Sequence, residues 1–360
     1  MSNVSEQHVM DQAKAEAFAQ QVMDILNHGA LGLMISIGHR TGLFDTLAPL
    51  PPSTAAEIAA AAGLNERYVR EWLAAMVVGR IVEYDAEAAT YHLPPEHALW
   101  LTRSTPAENL ARTAQGIGML AEVEDPIIEC FKKGGGVPYS AYSRFHDFMA
   151  EDSRHTVVNH LHDLILPAVP GLVEALGRGI DVMDIGCGRG EALMEMARHF
   201  PNSRFVGYDI SEEALEYARN AAAQRGLTNL RYEVQDAAQV HDVARFDLIT
   251  AFDAIHDQAQ PRKVLANIRS ALREGGTFLM QDIKAHTHLH DNLDHPLGPL
   301  FYTISTMHCM SVSLAAGGEG LGTMWGREKA LELLTQTGFA EIEVKELEHD
   351  ITNDYYICKR

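Results

Sequence analysis

Cysteine is scarce in this 360-residue chain. Cys130, Cys187, Cys309 and Cys358 are scattered, with no CxxC pair. That spacing argues against a disulfide framework or a cysteine-rich structural zinc site and fits a reducing compartment, so a cytoplasmic location is expected. Long apolar runs are missing too, and none approaches the roughly 20 residues that a membrane span needs. The N-terminal stretch MSNVSEQHVMDQAKAEAF is polar and acidic, without the apolar core of a secretory signal. Positive charge is what the chain lacks most. Its 29 Lys and Arg face 49 Asp and Glu, a net charge of −20. Nucleic-acid phosphate and anionic membranes are therefore poor partners for it.

The length points to two domains rather than one core, and there is no internal repeat or low-complexity tract. Residues 8–40 read as helix, broken near Gly29 and Gly32, with Ile25, Leu31, Leu33, Met34 and Ile37 as its apolar surface. From 53 to 92 the pattern is compact. Ser53, Thr54 and Glu57 make a capping box for a helix that stops at Gly63. Asn65 caps a second helix, with Val69, Trp72, Leu73 and Met76 on one face, and two alternating strands follow at 81–84 and 90–93. Helix, turn, helix and hairpin is the winged-helix order. Charge argues against DNA as its ligand, because residues 1–100 hold 5 Lys and Arg against 12 Asp and Glu. We expect a winged-helix-like domain over 1–100, a helical linker region over 101–165, and an α/β domain with a parallel sheet over 166–360.

The chemistry concentrates in 180–283. A strand at 180–184 runs through Asp184 into Gly186-Cys187-Gly188-Arg189-Gly190 and a helix from Glu191. Such a turn lets backbone N–H groups approach a ligand. By itself it does not separate a dinucleotide from other nucleotides. Two residues do: Glu191 stands where the dinucleotide pattern wants a small residue, and Asp184 suits a cationic ligand better than a pyrophosphate. A second strand ends at Asp209 and Ile210, where a carboxylate can accept both ribose hydroxyls. A third ends at Asp236 and Ala237, where an adenine amino group can donate. A fourth ends at Phe252 and Asp253, and a turn at 272–276 leads into a fifth.

Together VMDIGCGRG, FVGYDIS, VQDA, FDLITAFDAIHD and LREGGTFLMQDI resemble the class I S-adenosylmethionine-dependent methyltransferases. The resemblance covers about the last half of the chain. It implies a Rossmann-like, seven-stranded, mostly parallel sheet whose last strands, near 342–347 and 354–359, form an antiparallel hairpin. It also implies S-adenosylmethionine as cofactor, with Asp184 and the glycines at the methionine end, Asp209 on the ribose, and Asp236 with Ala237 on the adenine. The winged-helix-like front resembles that of small-molecule O-methyltransferases, where it dimerises, so a homodimer is expected.

In those enzymes a His-Asp pair after the fourth strand places the histidine as general base; the match here is His256-Asp257, with Gln258 where an aromatic is usual. A base is needed because a phenol has a pKa near ~10. Phe145 and Met149 match a segment that closes over cofactor and acceptor, and Tyr139 and Tyr142 are placed in the same region. Tyr302 and His308, on an apolar helix at 301–310, are candidate pocket residues, and the glycine-rich stretch 317–325 is a candidate lid. Alternating His286, His288 and His290, near Asp291 and His295, could face one side like zinc ligands, but histidine is abundant and no cysteine joins them, so no metal is expected. The leading expectation is an O-methyltransferase acting on a small molecule. A winged-helix regulator that binds the cofactor, N- or C-methylation without a base, and a methyltransferase-like protein without catalysis remain open.

Overall fold

Asp11 accepts hydrogen bonds from Ala13 N and Lys14 N and so starts α1 (Gln12–Arg40), which runs 29 residues without interruption. The expected break near Gly29 and Gly32 does not occur. Glycine in a helix costs only ~1 kcal/mol relative to alanine, and packing uses two of the helix's glycines. A Cβ on Gly32 would lie 2.7 Å from Ile117 Cδ1, and one on Gly38 would lie 2.5 Å from Trp72 Cζ2. This computed structural model describes residues 10–104 and 109–360, in two units that divide after Gly118.

In the first unit, α2 (Leu43–Leu47) precedes α3 (Ala55–Ala62) and α4 (Glu66–Val78). Thr54 and Glu57 form the reciprocal capping box of α3, and Asn65 accepts from Arg67 N to cap α4. Val69, Trp72, Leu73 and Met76 are buried, and the Trp72 indole donates to Met34 O at 2.8 Å. The hairpin strands β1 (Glu83–Asp85) and β2 (Thr90–His92) are shorter than expected. Ile81 N and Val82 N bond back to Met76 O instead of entering a ladder. α5 (Pro95–Leu101) and α6 (Leu110–Thr113) follow, and α7 (Gln115–Ala121) crosses the division.

The 101–165 stretch, expected as a helical linker region, is divided after Gly118. α8 (Glu124–Lys133) and α9 (Phe145–Thr156) lie in the second unit. Val123 and Ile127 bury themselves there against Val137, Tyr142 and Val312, so these helices share the second unit's core.

α10 (Leu172–Arg178) leads into the alternating half of the chain: β3 (Asp181–Ile185), α11 (Glu191–His199), β4 (Arg204–Asp209), α12 (Glu212–Gln224), β5 (Leu230–Val234), β6 (Phe246–Phe252), α13 (Pro261–Ala271) and β7 (Leu272–Ile283). α14 (Gly298–Ile304), a π-helical turn at Ser305–Cys309, α15 (Met310–Ala315), α16 (Gly326–Thr337), β8 (Glu341–Lys345) and β9 (Asn353–Lys359) complete it. The seven strands lie in the order β5-β4-β3-β6-β7-β9-β8. Neighbours from β5 to β7 are parallel, and β9 and β8 add the antiparallel hairpin. Successive residues feed opposite faces, as the strand period of two requires. Met183, Val206, Ile249 and Phe278 enter one core, while Val182, Phe205, Leu248 and Leu279 enter the other. Burial on both faces is why these strands read as continuous apolar runs.

The chain builds outward from β3 to β5 and then returns to place β6 on the other side of β3. A crevice therefore opens at the carboxyl ends of β3 and β6, where open α/β sheets bind their ligands.

Candidate active site

At the end of β3, three left-handed glycines make the turn. Gly186 has φ 67°, and a Cβ there would also lie 2.6 Å from Ala254 Cβ, at the exit of β6. Gly190 has φ 68° and abuts Tyr232, whose hydroxyl donates to Gly190 O at 2.8 Å. Gly188 differs: a Cβ on it would meet nothing within 4 Å, so this side of the turn is open space for a ligand. Asp209, at the end of β4, stiffens the turn by accepting from Gly188 N and Ser211 N, both at 2.8 Å. Cys187 is half-buried in the turn, where burial holds its thiol well above its usual pKa. Ile210 is 60% exposed beside Asp209. Asp236 is exposed and accepts from Ala238 N with one oxygen, and Ala237 next to it is buried. Phe252, the last residue of β6, is half-buried.

Glu191 is buried in the first turn of α11, held by Arg154 at 3.4 Å and Arg225 at 3.2 Å. These two guanidinium groups compensate the charge of the buried carboxylate.

Asp184 is 3% exposed and accepts from Thr250 Oγ1 at 2.6 Å. Burial lifts its pKa to about 7 despite the Thr250 bond, and the Asp209 charge adds to the rise. Asp253 has φ 55°, left-handed for a non-glycine residue, and its buried Oδ1 accepts no hydrogen bond among the described residues. Burial raises Asp253 to about 6. Asp257 also rises to about 6, again chiefly through burial. Burial thus raises three carboxyl groups, Asp184, Asp253 and Asp257, at the ends of β3 and β6.

His256 follows β6 and is 2% exposed. Its carboxylate partner is not its motif neighbour Asp257. Its Nδ1 lies 2.8 Å from Asp282 Oδ1, near the end of β7, and 3.7 Å from Asp253 Oδ1. The pairing of Phe252 with Gln281 in the parallel ladder sets β6 beside β7 at this depth. Asp282 Oδ1 also accepts from Trp325 Nε1 at 2.9 Å and from Ile283 N. Burial works against the imidazolium, but the Asp282 charge, with Cys309, outweighs it and raises the His256 pKa. Asp257 instead accepts from the Tyr139 hydroxyl, which burial and the Asp257 charge keep protonated.

His308 lies against this centre. Its ring stacks on Phe145 at 4.3 Å and meets Tyr142 and Tyr139 edge-on at 4.7 Å and 5.4 Å. Burial, reinforced by His256 and His146, drops its pKa to about 3, so it is a neutral ring. The π-helical turn that carries His308 is a device frequent at functional sites. α9 links this cage to the glycine turn: His146 Nε2 is 3.0 Å from Ser211 Oγ, and Asp147 accepts from Arg189. Met149 is half-buried one turn beyond Phe145. Tyr302 packs in a separate cluster with Phe301 and Met324, its hydroxyl 3.3 Å from Asn292 Nδ2. The 317–325 stretch is pinned rather than free: Gly322 N bonds His256 O and Glu319 N bonds Ala259 O. His286 pairs with Glu328 at 2.8 Å, while His288 and His290 stack on each other.

Residues 176–327 match the family model of a methyltransferase domain, and residues 29–103 match that of an Rv2258c-like winged HTH domain. The ubiquinone biosynthesis O-methyltransferase of Coxiella burnetii (strain RSA 493 / Nine Mile phase I) is 26% identical over 193 residues, covering 50% of this chain and 77% of that protein. Human N-acetylserotonin methyltransferase, solved with S-adenosylmethionine, superposes with a TM-score of 0.68 at 17% identity, covering 100% of this chain and 99% of its own. An O-methyltransferase family protein from Burkholderia thailandensis gives 0.66 at 14% identity, with 98% of each chain covered. These likenesses establish the fold. Residues 176–327 thus form a methyltransferase domain of the class I S-adenosylmethionine-dependent fold, and a winged helix-turn-helix domain at residues 29–103 precedes it.

Proposed function

We propose that this chain transfers the methyl group of S-adenosylmethionine to a hydroxyl oxygen of a small molecule, with His256 as general base. One observation carries the reading: a buried imidazole at the carboxyl end of β6 has its Nδ1 held 2.8 Å from the buried carboxylate of Asp282. With Nδ1–H fixed on Asp282, the other ring nitrogen is the one that receives a proton. Asp282 stabilises the imidazolium that forms, and Trp325 fixes the carboxylate.

When bound, S-adenosylmethionine supplies a methyl group activated by its sulfonium. The residues present fit it. The open side of Gly188 lets a ligand approach the backbone closely, Asp209 offers a carboxylate to the ribose hydroxyls, and Asp184 and Asp253 suit the positive amino and sulfonium groups. Phe145, His308, Tyr139 and Tyr142 form an aromatic cluster next to Asp257, a surrounding suited to a planar acceptor. The acidic balance of residues 1–100 favours a small molecule over nucleic acid. A crystal structure with S-adenosylhomocysteine tests the mechanism. His256 is expected to face the sulfur across a gap that an acceptor fills; a histidine pointing away, with no route for closure, would overturn it.

The raised carboxylates predict pH-dependent affinity. A cation favours the ionised forms of Asp184, Asp253 and Asp257, lowering their pKa values on binding. Affinity for S-adenosylmethionine should therefore rise as pH climbs from 5 to about 7 and level off above that. Calorimetry in buffers of different ionisation enthalpy should show proton release near pH 6; a flat profile would remove the carboxylates from the cofactor site.

The same reading includes a homodimer through α1. Phe18, Val22, Leu26, Leu33 and Ile37 are exposed along one side of that helix, a stripe that a monomer seldom leaves in water. Changing Phe18 and Leu26 together to glutamate should shift sedimentation from dimer to monomer, and an unchanged coefficient would place any dimer elsewhere.

A further inference from the structure

Outside the crevice, three potential ligands meet at the carboxyl end of α11. Glu195 and His199 stand one turn apart on that helix, as i and i+4, and so share a face. His162 comes from the π-helical turn Leu161–Ile165, which packs in the same core as α11. His162 Nε2 is 3.3 Å from Glu195 Oε1, and His199 Nδ1 is 3.6 Å from the same oxygen. The three ligand atoms lie within 4.8 Å of one another. A tetrahedral ion with bonds of about 2.0–2.1 Å separates its ligands by about 3.3 Å, so the two measured edges are near those of a formed site. His162 Nε2 is also buried and makes no hydrogen bond of proper geometry, although Glu195 is close.

We propose that His162, Glu195 and His199 bind a divalent transition-metal cation, with zinc as the representative ion. Two imidazoles and one carboxylate select zinc, cobalt, nickel or copper over magnesium and calcium, which prefer all-oxygen shells. One group competes. Arg198 places Nη2 2.6 Å from Glu195 Oε1 and 3.4 Å from His199 Nδ1. Its side chain is 59% exposed and the pair is a surface one, so it can turn into solvent when the ion arrives. The ion would tie the Leu161–Ile165 turn to the last turn of α11, the helix whose first turn follows the glycine loop.

Isothermal titration of the full chain with zinc chloride tests this, with cobalt chloride as a visible-absorption probe. Saturable zinc binding is expected, with cobalt bands in the visible region and no magnesium binding. His199→Ala, at a half-exposed position, should weaken zinc at least tenfold while its far-ultraviolet spectrum stays native. His162→Ala should do the same, and Arg198→Ala should tighten binding. His286→Ala combined with His290→Ala, in the other histidine cluster, should leave this affinity unchanged. Wild-type zinc stoichiometry and affinity in the His162→Ala, His199→Ala double variant would overturn the assignment, as would zinc binding weaker than about 1 mM in the unaltered chain.

Discussion

Replacing His256 with alanine is expected to slow methyl transfer to a phenolic acceptor by about 10²–10⁴-fold, while cofactor affinity stays within about twofold. The size follows from what is lost. Without the imidazole the acceptor keeps its proton until after attack, and water cannot substitute because the residue is buried. Asp282→Asn is the sharper variant. The charge of Asp282 raises the His256 pKa, so its removal lowers that pKa. A base works only when unprotonated, so the rate rises with pH through its pKa. The acid limb of the kcat profile should therefore move to lower pH in the variant, while the plateau falls as the imidazolium loses its counter-ion. Single-turnover rates against pH, with tritiated S-adenosylmethionine and a panel of phenols, separate the two effects. A profile that Asp282→Asn does not move would mean that His256 is not the titrating base.

Asp209→Ala is expected to weaken S-adenosylmethionine binding by about 100-fold, from two charge-assisted hydrogen bonds at ~1.5 kcal/mol or more each. Part of the loss would come through the turn, because Asp209 also holds Gly188 N and Ser211 N. Asp209→Asn divides the contributions. An amide oxygen can still accept from one backbone N–H, so the turn is partly kept while the charge is lost. Calorimetry should place the asparagine variant between the other two proteins. Equal affinity in all three would remove Asp209 from the ribose site.

Local signals were the readable ones. The Thr54–Glu57 capping box, the Asn65 cap and the left-handed glycines of the β3 turn are written within a few residues, and each stands where the sequence placed it. The alternating apolar runs were likewise legible, because burial on both faces of a parallel sheet leaves no polar face to break them. The break expected in α1 shows the limit. Gly32 looks like a helix breaker until Ile117, 85 positions away, is seen to need the missing side chain.

His256 was in view from its motif, but its partner was not. Sequence adjacency points to Asp257. The sheet selects Asp282, 26 residues on, because parallel pairing of β6 with β7 brings their carboxyl ends together, and Asp257 turns to Tyr139 instead. The aromatic cage around His308 and the His162–Glu195–His199 cluster share that origin: each joins elements far apart in the chain. The sequence by itself determined the fold class, the glycine turn and the order of acidic strand ends, since these depend on backbone conformation and side-chain periodicity. Only the tertiary structure decided which carboxylate His256 meets, because that depends on distances between side chains that strand pairing sets.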